Sequence, residues 1–75
     1  MEAEIGKAAG QIWQYLHTHD AVSWPHLQRG TRLSARLLAM GVGWLAREGK
    51  LIFVQERRVM KLHLQEELPK EREVP

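Results

Sequence analysis

Eight cationic side chains fall within residues 23–64: Arg29, Arg32, Arg36, Arg47, Lys50, Arg57, Arg58 and Lys61. Only Glu48 and Glu56 oppose them there, which leaves a balance of +6. Residues 1–22 set Lys7 against Glu2, Glu4 and Asp20, a balance of −2. Residues 65–75 set Lys70 and Arg72 against Glu66, Glu67, Glu71 and Glu73, again −2. The whole chain is only +2, so the charge is unevenly placed rather than large. A basic centre between acidic flanks is the pattern of a polyanion-binding face. The plainer alternative is that the arginines merely solvate a small surface.

Other chemistry is sought and not found. His17 and His19 lie two apart, which on a helix places them on different sides. There is no H-x-x-x-H pair and no cysteine, so neither a metal site nor a thiol nucleophile is expected. Ser23 and Ser34 have no base nearby in sequence, and both sit where helix caps belong. Gly41 and Gly43 match no phosphate-cradling motif. No catalytic residue, metal or cofactor is expected, and the chain does not read as an enzyme.

The cations must be positioned by helices and a hairpin. Ile5, Ala8, Ala9, Ile12, Trp13 and Leu16 recur at helical spacing, which predicts a first helix over Glu2 to His19. Gly6 and Gly10 share a face, and close packing inside the domain is their expected role. Asp20 and Ala21 break the helix, and Ala21-Val22 is placed to add a very short strand to a later hairpin. Trp24-Pro25 opens a second helix to Gln28 or Arg29, which Gly30 ends. Thr31 to Leu33 makes a turn, and Ser34 caps a third helix. Leu37, Leu38, Val42 and Leu45 form its apolar side, and Arg36, Met40, Gly43 and Arg47 its opposite face. At least one of Gly41 and Gly43 is expected to pack closely against the first helix. Gly49 follows Arg47-Glu48, at the left-handed stop position.

From Leu51 the residues favour strands. A turn centred on Arg57 and Arg58 opposes Glu56 to Val59, Gln55 to Met60, Phe53 to Leu62 and Leu51 to Leu64. Leu51, Phe53, Met60, Leu62 and Leu64 then share one face, suited to packing on helices. Neither arginine favours φ > 0, so a four-residue loop in the same register is expected over a tight two-residue turn. The core is expected to hold Trp13, Leu16, Leu37, Leu45, Phe53 and Leu62. Trp44 also defaults to the core; Trp24, opening the second helix beside Pro25, is read first as core or hydrophobic staple and second as a partly exposed phosphate or partner contact. The outer hairpin face carries Ile52, Val54 and Val59 beside Lys61 and His63, more apolar than a solvated face needs. These three are a candidate partner surface.

Seventy-five residues make one small domain of modest stability. Residues 1–65 are expected to be that domain, and residues 66–75 a disordered charged tail. No apolar run reaches the roughly 18 residues of a membrane span, and the acidic start is unlike a signal peptide. A cytoplasmic location is expected. The fold class is α+β, mainly α: three helices plus a two-stranded wing, with residues 21–22 as a short third strand.

Two blocks carry a family resemblance. Ile5-Gly6-Lys7-Ala8-Ala9-Gly10-Gln11-Ile12-Trp13 is followed by Gly43-Trp44-Leu45-Ala46-Arg47-Glu48-Gly49-Lys50. Together they resemble the small stand-alone winged helix-turn-helix proteins of bacteria and archaea classed as a domain of unknown function. The resemblance covers most of residues 3 to 64. It implies a winged-helix fold and, by analogy with the broader superfamily, nucleic-acid binding. It supplies no ligand or catalytic residue.

The residues then favour a double-stranded DNA binder acting as a transcriptional regulator or accessory factor. Arg36 is the candidate for base edges, and Arg47 for phosphate at the far end of the third helix. Arg32 enters from the turn, Arg57 and Arg58 from the wing, and Lys50 and Lys61 add charge at the base of the hairpin. Met40, Gly43 and nearby Ala39 offer no side-chain donors, so phosphate contacts should dominate affinity. Specificity from so small a domain would need a homodimer or a protein partner. The alternative is a winged-helix protein-interaction module without nucleic-acid binding, which the apolar outer wing face favours.

Overall fold

The computed structural model describes residues 2–65; the expected tail over 66–75 lies outside the described residues. Helix α1 spans Glu2–Thr18 and buries Ala8, Ala9, Ile12 and Leu16, the stripe set by the helical period. Strand β1 is Val22–Ser23, one residue later than expected. Helix α2 spans Trp24–Thr31, helix α3 spans Ala35–Arg47, and strands β2 and β3 span Leu51–Glu56 and Val59–Leu64. Both serines cap. Ser23 accepts from the His26 N–H at 3.3 Å and Ser34 from the Leu37 N–H at 3.1 Å.

The stop of α2 differs from the expectation. Gly30 does not end the helix; it lies inside it, and Arg32 is the left-handed C-cap at φ 61. Its N–H donates to the Gln28 carbonyl at 2.9 Å. Gly30 is there for space rather than for φ. A Cβ at that position would lie 2.2 Å from the Tyr15 ring. Gly49 does take the left-handed stop after α3, at φ 74.

The hairpin register is the expected one, from Leu51 opposite Leu64 to Glu56 opposite Val59. Its turn is not. Arg57 and Arg58 alone connect the strands, and Arg57 accepts φ 56. The Gln55 side-chain amide donates to the Arg57 carbonyl at 3.2 Å, which helps to hold the turn. β1 pairs with β3 on its other side, Val22 opposite Leu62, so the sheet order is β1-β3-β2.

Ile12, Leu27, Leu38 and Leu62 form the fully buried centre, one residue from each helix and one from the middle strand. Gly41 lets α3 approach α1: a Cβ there would meet Ile12 at 2.7 Å and the Ala9 backbone nitrogen at 3.2 Å. Gly6 and Gly10 do not pack as expected, since a Cβ at either meets nothing within 4 Å. Leu16, Leu45 and Leu62 are buried as expected, but three residues assigned to the core are not. Leu37 is half-buried, Trp13 is 36% exposed and Phe53 46%. Trp44, 46% exposed, is also outside the core. Trp13 stacks on His17 one turn away, ring centroids 4.7 Å apart, instead of entering the interior. Trp24 is half-buried against the core.

Candidate nucleic-acid interface

Helix α3 is fixed at both ends and along one side. Ser34 caps its start, and the Lys50 N–H reaches back to the Leu45 carbonyl at 2.9 Å after its end. Leu38, Gly41, Val42 and Leu45 hold its inner side in the core. The opposite side is therefore presented as a rigid surface. Arg36, Ala39, Gly43 and Arg47 are exposed there, with Met40 half-buried. The surface offers two guanidinium groups and otherwise small or apolar side chains. A guanidinium presents donors in a fixed fork that suits phosphate and guanine edges. Ala39, Met40 and Gly43 have no side-chain donors for a base edge.

The remaining candidates divide by position. Arg32 is exposed at the left-handed cap between α2 and α3. Arg57 and Arg58 form the exposed tip of the wing. Lys50 is exposed at the hairpin base, where its backbone also closes the end of α3. Lys61 is not at the base. It lies opposite Val54 in mid-hairpin, and its ammonium is 3.2 Å from the Glu56 carboxylate. That pair is solvent-exposed, so it adds little stability, but it offsets the Lys61 charge locally. Lys61, Arg57, Glu56 and Val59 line one shallow depression on the wing.

The partner-surface residues are less exposed than their face suggests. Ile52 and Val54 are half-buried, and Val59 is 43% exposed. Exposed apolar surface instead spans both faces of the wing near its tip, since Phe53 at 46% and Met60 at 44% stand on the other face.

One polar cluster escaped the sequence reading. The Tyr15 hydroxyl and His26 Nε2 are 2.8 Å apart and share a hydrogen bond between α1 and α2. The Tyr15 ring stacks on His19 at 3.9 Å between centroids and covers Gly30. This contact ties the first helix of the helix-turn-helix to α1. Its only sequence signal was Gly30, which also read as a plausible helix stop. Among the described residues, no group of three or more His, Cys, Asp or Glu side chains is placed to hold a metal ion. No described helix is long and apolar enough to cross a membrane.

The chain is similar to a solved structure, protein BT2368 from Bacteroides thetaiotaomicron, determined by solution NMR. The two share 34% identity with a TM-score of 0.76, over 85% of this chain and 79% of that one. No curated protein matches. Residues 1–64 match the model of a family described as a winged helix-turn-helix domain. With three helices, the short β1 and a hairpin in the order of that fold, the chain belongs to the winged helix-turn-helix domain family DUF2582.

Proposed function

We propose that the domain binds double-stranded DNA, with α3 in the major groove and the wing across the adjacent backbone, as a transcriptional regulator or accessory factor in the cytoplasm. It acts by binding, not by catalysis. The observation that carries this reading is the exposure of Arg36 and Arg47 on the outer side of α3 together with Arg57 and Arg58 at the wing tip. Arg32 and Lys50 extend the same charge, and Lys61 adds less because Glu56 offsets it. Phosphate contacts supply most of the affinity, and Arg36 supplies what base readout there is.

The arginines should separate in a duplex-binding titration. If Arg57 and Arg58 each neutralise one phosphate, changing both to alanine weakens binding on every sequence. It also flattens the log–log salt slope by about 2, at roughly 0.9 per phosphate. Arg36→Ala should cost about 1–3 kcal/mol on a preferred site and much less on random duplex. Circular dichroism checks that the variants remain folded.

A second reading rests on a different observation. Phe53, Val59 and Met60 expose apolar surface around the wing tip, which fits a winged helix that docks on protein. Loss of all salt-sensitive duplex binding would leave that reading in place of the first.

A further inference from the structure

β2 lies at the edge of the sheet, and the direction of its free backbone groups follows from two observations. The Gln65 N–H donates to the Lys50 carbonyl at 2.9 Å, and Glu56 pairs with Val59 directly across the two-residue turn. Hydrogen-bonded pairs alternate with non-bonded pairs along an antiparallel ladder. Ile52, Val54 and Glu56 therefore turn their backbone N–H and C=O groups inward to β3, as the Lys50 carbonyl does, while the Lys50 N–H is taken by the Leu45 carbonyl. Leu51, Phe53 and Gln55 turn theirs outward, to an edge that no described strand occupies.

We infer that a second copy of this chain fills that edge, β2 against β2, antiparallel about a two-fold axis at Phe53. A symmetric pairing must oppose outward-turned residues to outward-turned residues. Centred on Ile52 or Val54, it engages only two of the three from each chain. Centred on Phe53, it engages all three: Phe53 meets its own copy, and Leu51 meets Gln55 twice. Six hydrogen bonds then join the chains into one six-stranded sheet.

The same register gives charge complementarity. It sets Lys50 of each copy opposite Glu56 of the other. Lys50 has no acidic partner within 4.0 Å among the described residues, whereas Glu56 already touches Lys61 and can bridge both. It also sets Ile52 opposite Val54, an apolar pair suited to neighbouring strands. The inner faces of the two sheets lie on one side, so the exposed Phe53 and Met60 of both copies gather into one patch. β2 also lacks the devices that protect an edge strand: it has no proline, no bulge and no charge between Lys50 and Glu56. The inference does not depend on DNA binding.

Sedimentation of the full chain from micromolar to millimolar concentration tests it with three variants. Wild type should dimerise with rising concentration. Lys50→Glu sets like charges opposite each other at two places and should weaken the dimer about tenfold. Phe53→Ala keeps the outward N–H and should retain a weaker dimer. Phe53→Pro removes that N–H but no bond of the β2–β3 ladder, since proline is tolerated where an edge N–H faces solvent. It should be monomeric with an unchanged circular dichroism spectrum.

Cross-linking gives an arm that does not rely on proline. The chain has no cysteine, so a short bismaleimide reports only introduced ones. Phe53→Cys places two thiol-bearing residues about 5.5 Å apart at Cα and should cross-link. Gln55→Cys places them about 14 Å apart and should not. A strict monomer, a dimer that survives in folded Phe53→Pro, or cross-linking at residue 55 in preference to 53 would each overturn the inference.

Discussion

The base and the tip of the hairpin follow one alternation and end in different surroundings. At the base, Leu51 is 9% exposed; midway, Phe53 on the same face is 46% exposed beside fully buried Leu62, and toward the tip Met60 is 44% exposed. Phe53 and Leu62 are even direct partners across the ladder. The alternation fixes which face a side chain takes. How deep it lies depends on whether a helix covers that place, and no period records where the cover stops. α1 and α2 pack against β3, the middle strand, while α3 packs against β2, an outer strand of the sheet. The base therefore carries buried packing, and the tip carries exposed side chains.

That division can be broken most sharply at the Phe53–Leu62 pair. Leu62→Ala should cost about 2–5 kcal/mol, because a fully buried leucine loses both its transfer energy and its packing. A small domain has only about 5–15 kcal/mol to lose. Phe53→Ala, at the opposing position, should cost roughly 1 kcal/mol or less at concentrations where the chain is monomeric. Urea denaturation followed by circular dichroism reads both. Equal losses would show that β2 is buried as deeply as β3 at this pair.

A smaller effect is expected where α2 meets α1. Gly30→Ala gains helix propensity of about 1 kcal/mol, but its Cβ enters the space of the Tyr15 ring. Overpacking of about 1–3 kcal/mol should exceed the gain, and the displaced ring gives up its hydrogen bond to His26. In a Tyr15→Ala background the same Gly30→Ala should become neutral or stabilising. Thermal melts of the four chains measure the difference.

Smallest is Gly10→Ala, where nothing lies within 4 Å of the added carbon. The helix should gain about 0.5–1 kcal/mol from propensity alone. A loss there would mean that a backbone approaches this glycine in the folded protein.

Much of the frame was legible in residue patterns. Ser34, Gly49 and the hairpin register are local signals, and the structure places each as read; of the Leu37/Leu38/Val42/Leu45 stripe it buries all but Leu37. The register was secure because a one-residue slip would have turned Leu62 outward. What escaped depends on contacts far apart in sequence. Gly30 was read by its own backbone freedom, and its real constraint is a ring fifteen residues earlier. Arg32 and Arg57 take positive φ that neither residue favours by itself, each with a hydrogen bond at its turn. Trp13 and Trp44 carry apolar area like core residues, but they stand outside the buried stripes Ala8/Ala9/Ile12/Leu16 of α1 and Leu38/Gly41/Val42/Leu45 of α3. For the candidate interface, the arginines were legible as charge, and the structure adds their exposure and the Glu56 partner that discounts Lys61.

The DNA reading stands most directly on one measurement: fluorescence anisotropy of a labelled duplex titrated with wild-type protein across a salt series. If Arg36, Arg47, Arg57 and Arg58 each meet one phosphate or its equivalent, binding should weaken steeply with salt. The log–log slope should be about −3 to −4, at roughly 0.9 per neutralised phosphate. No binding at low ionic strength, or binding whose strength does not change with salt, would contradict it.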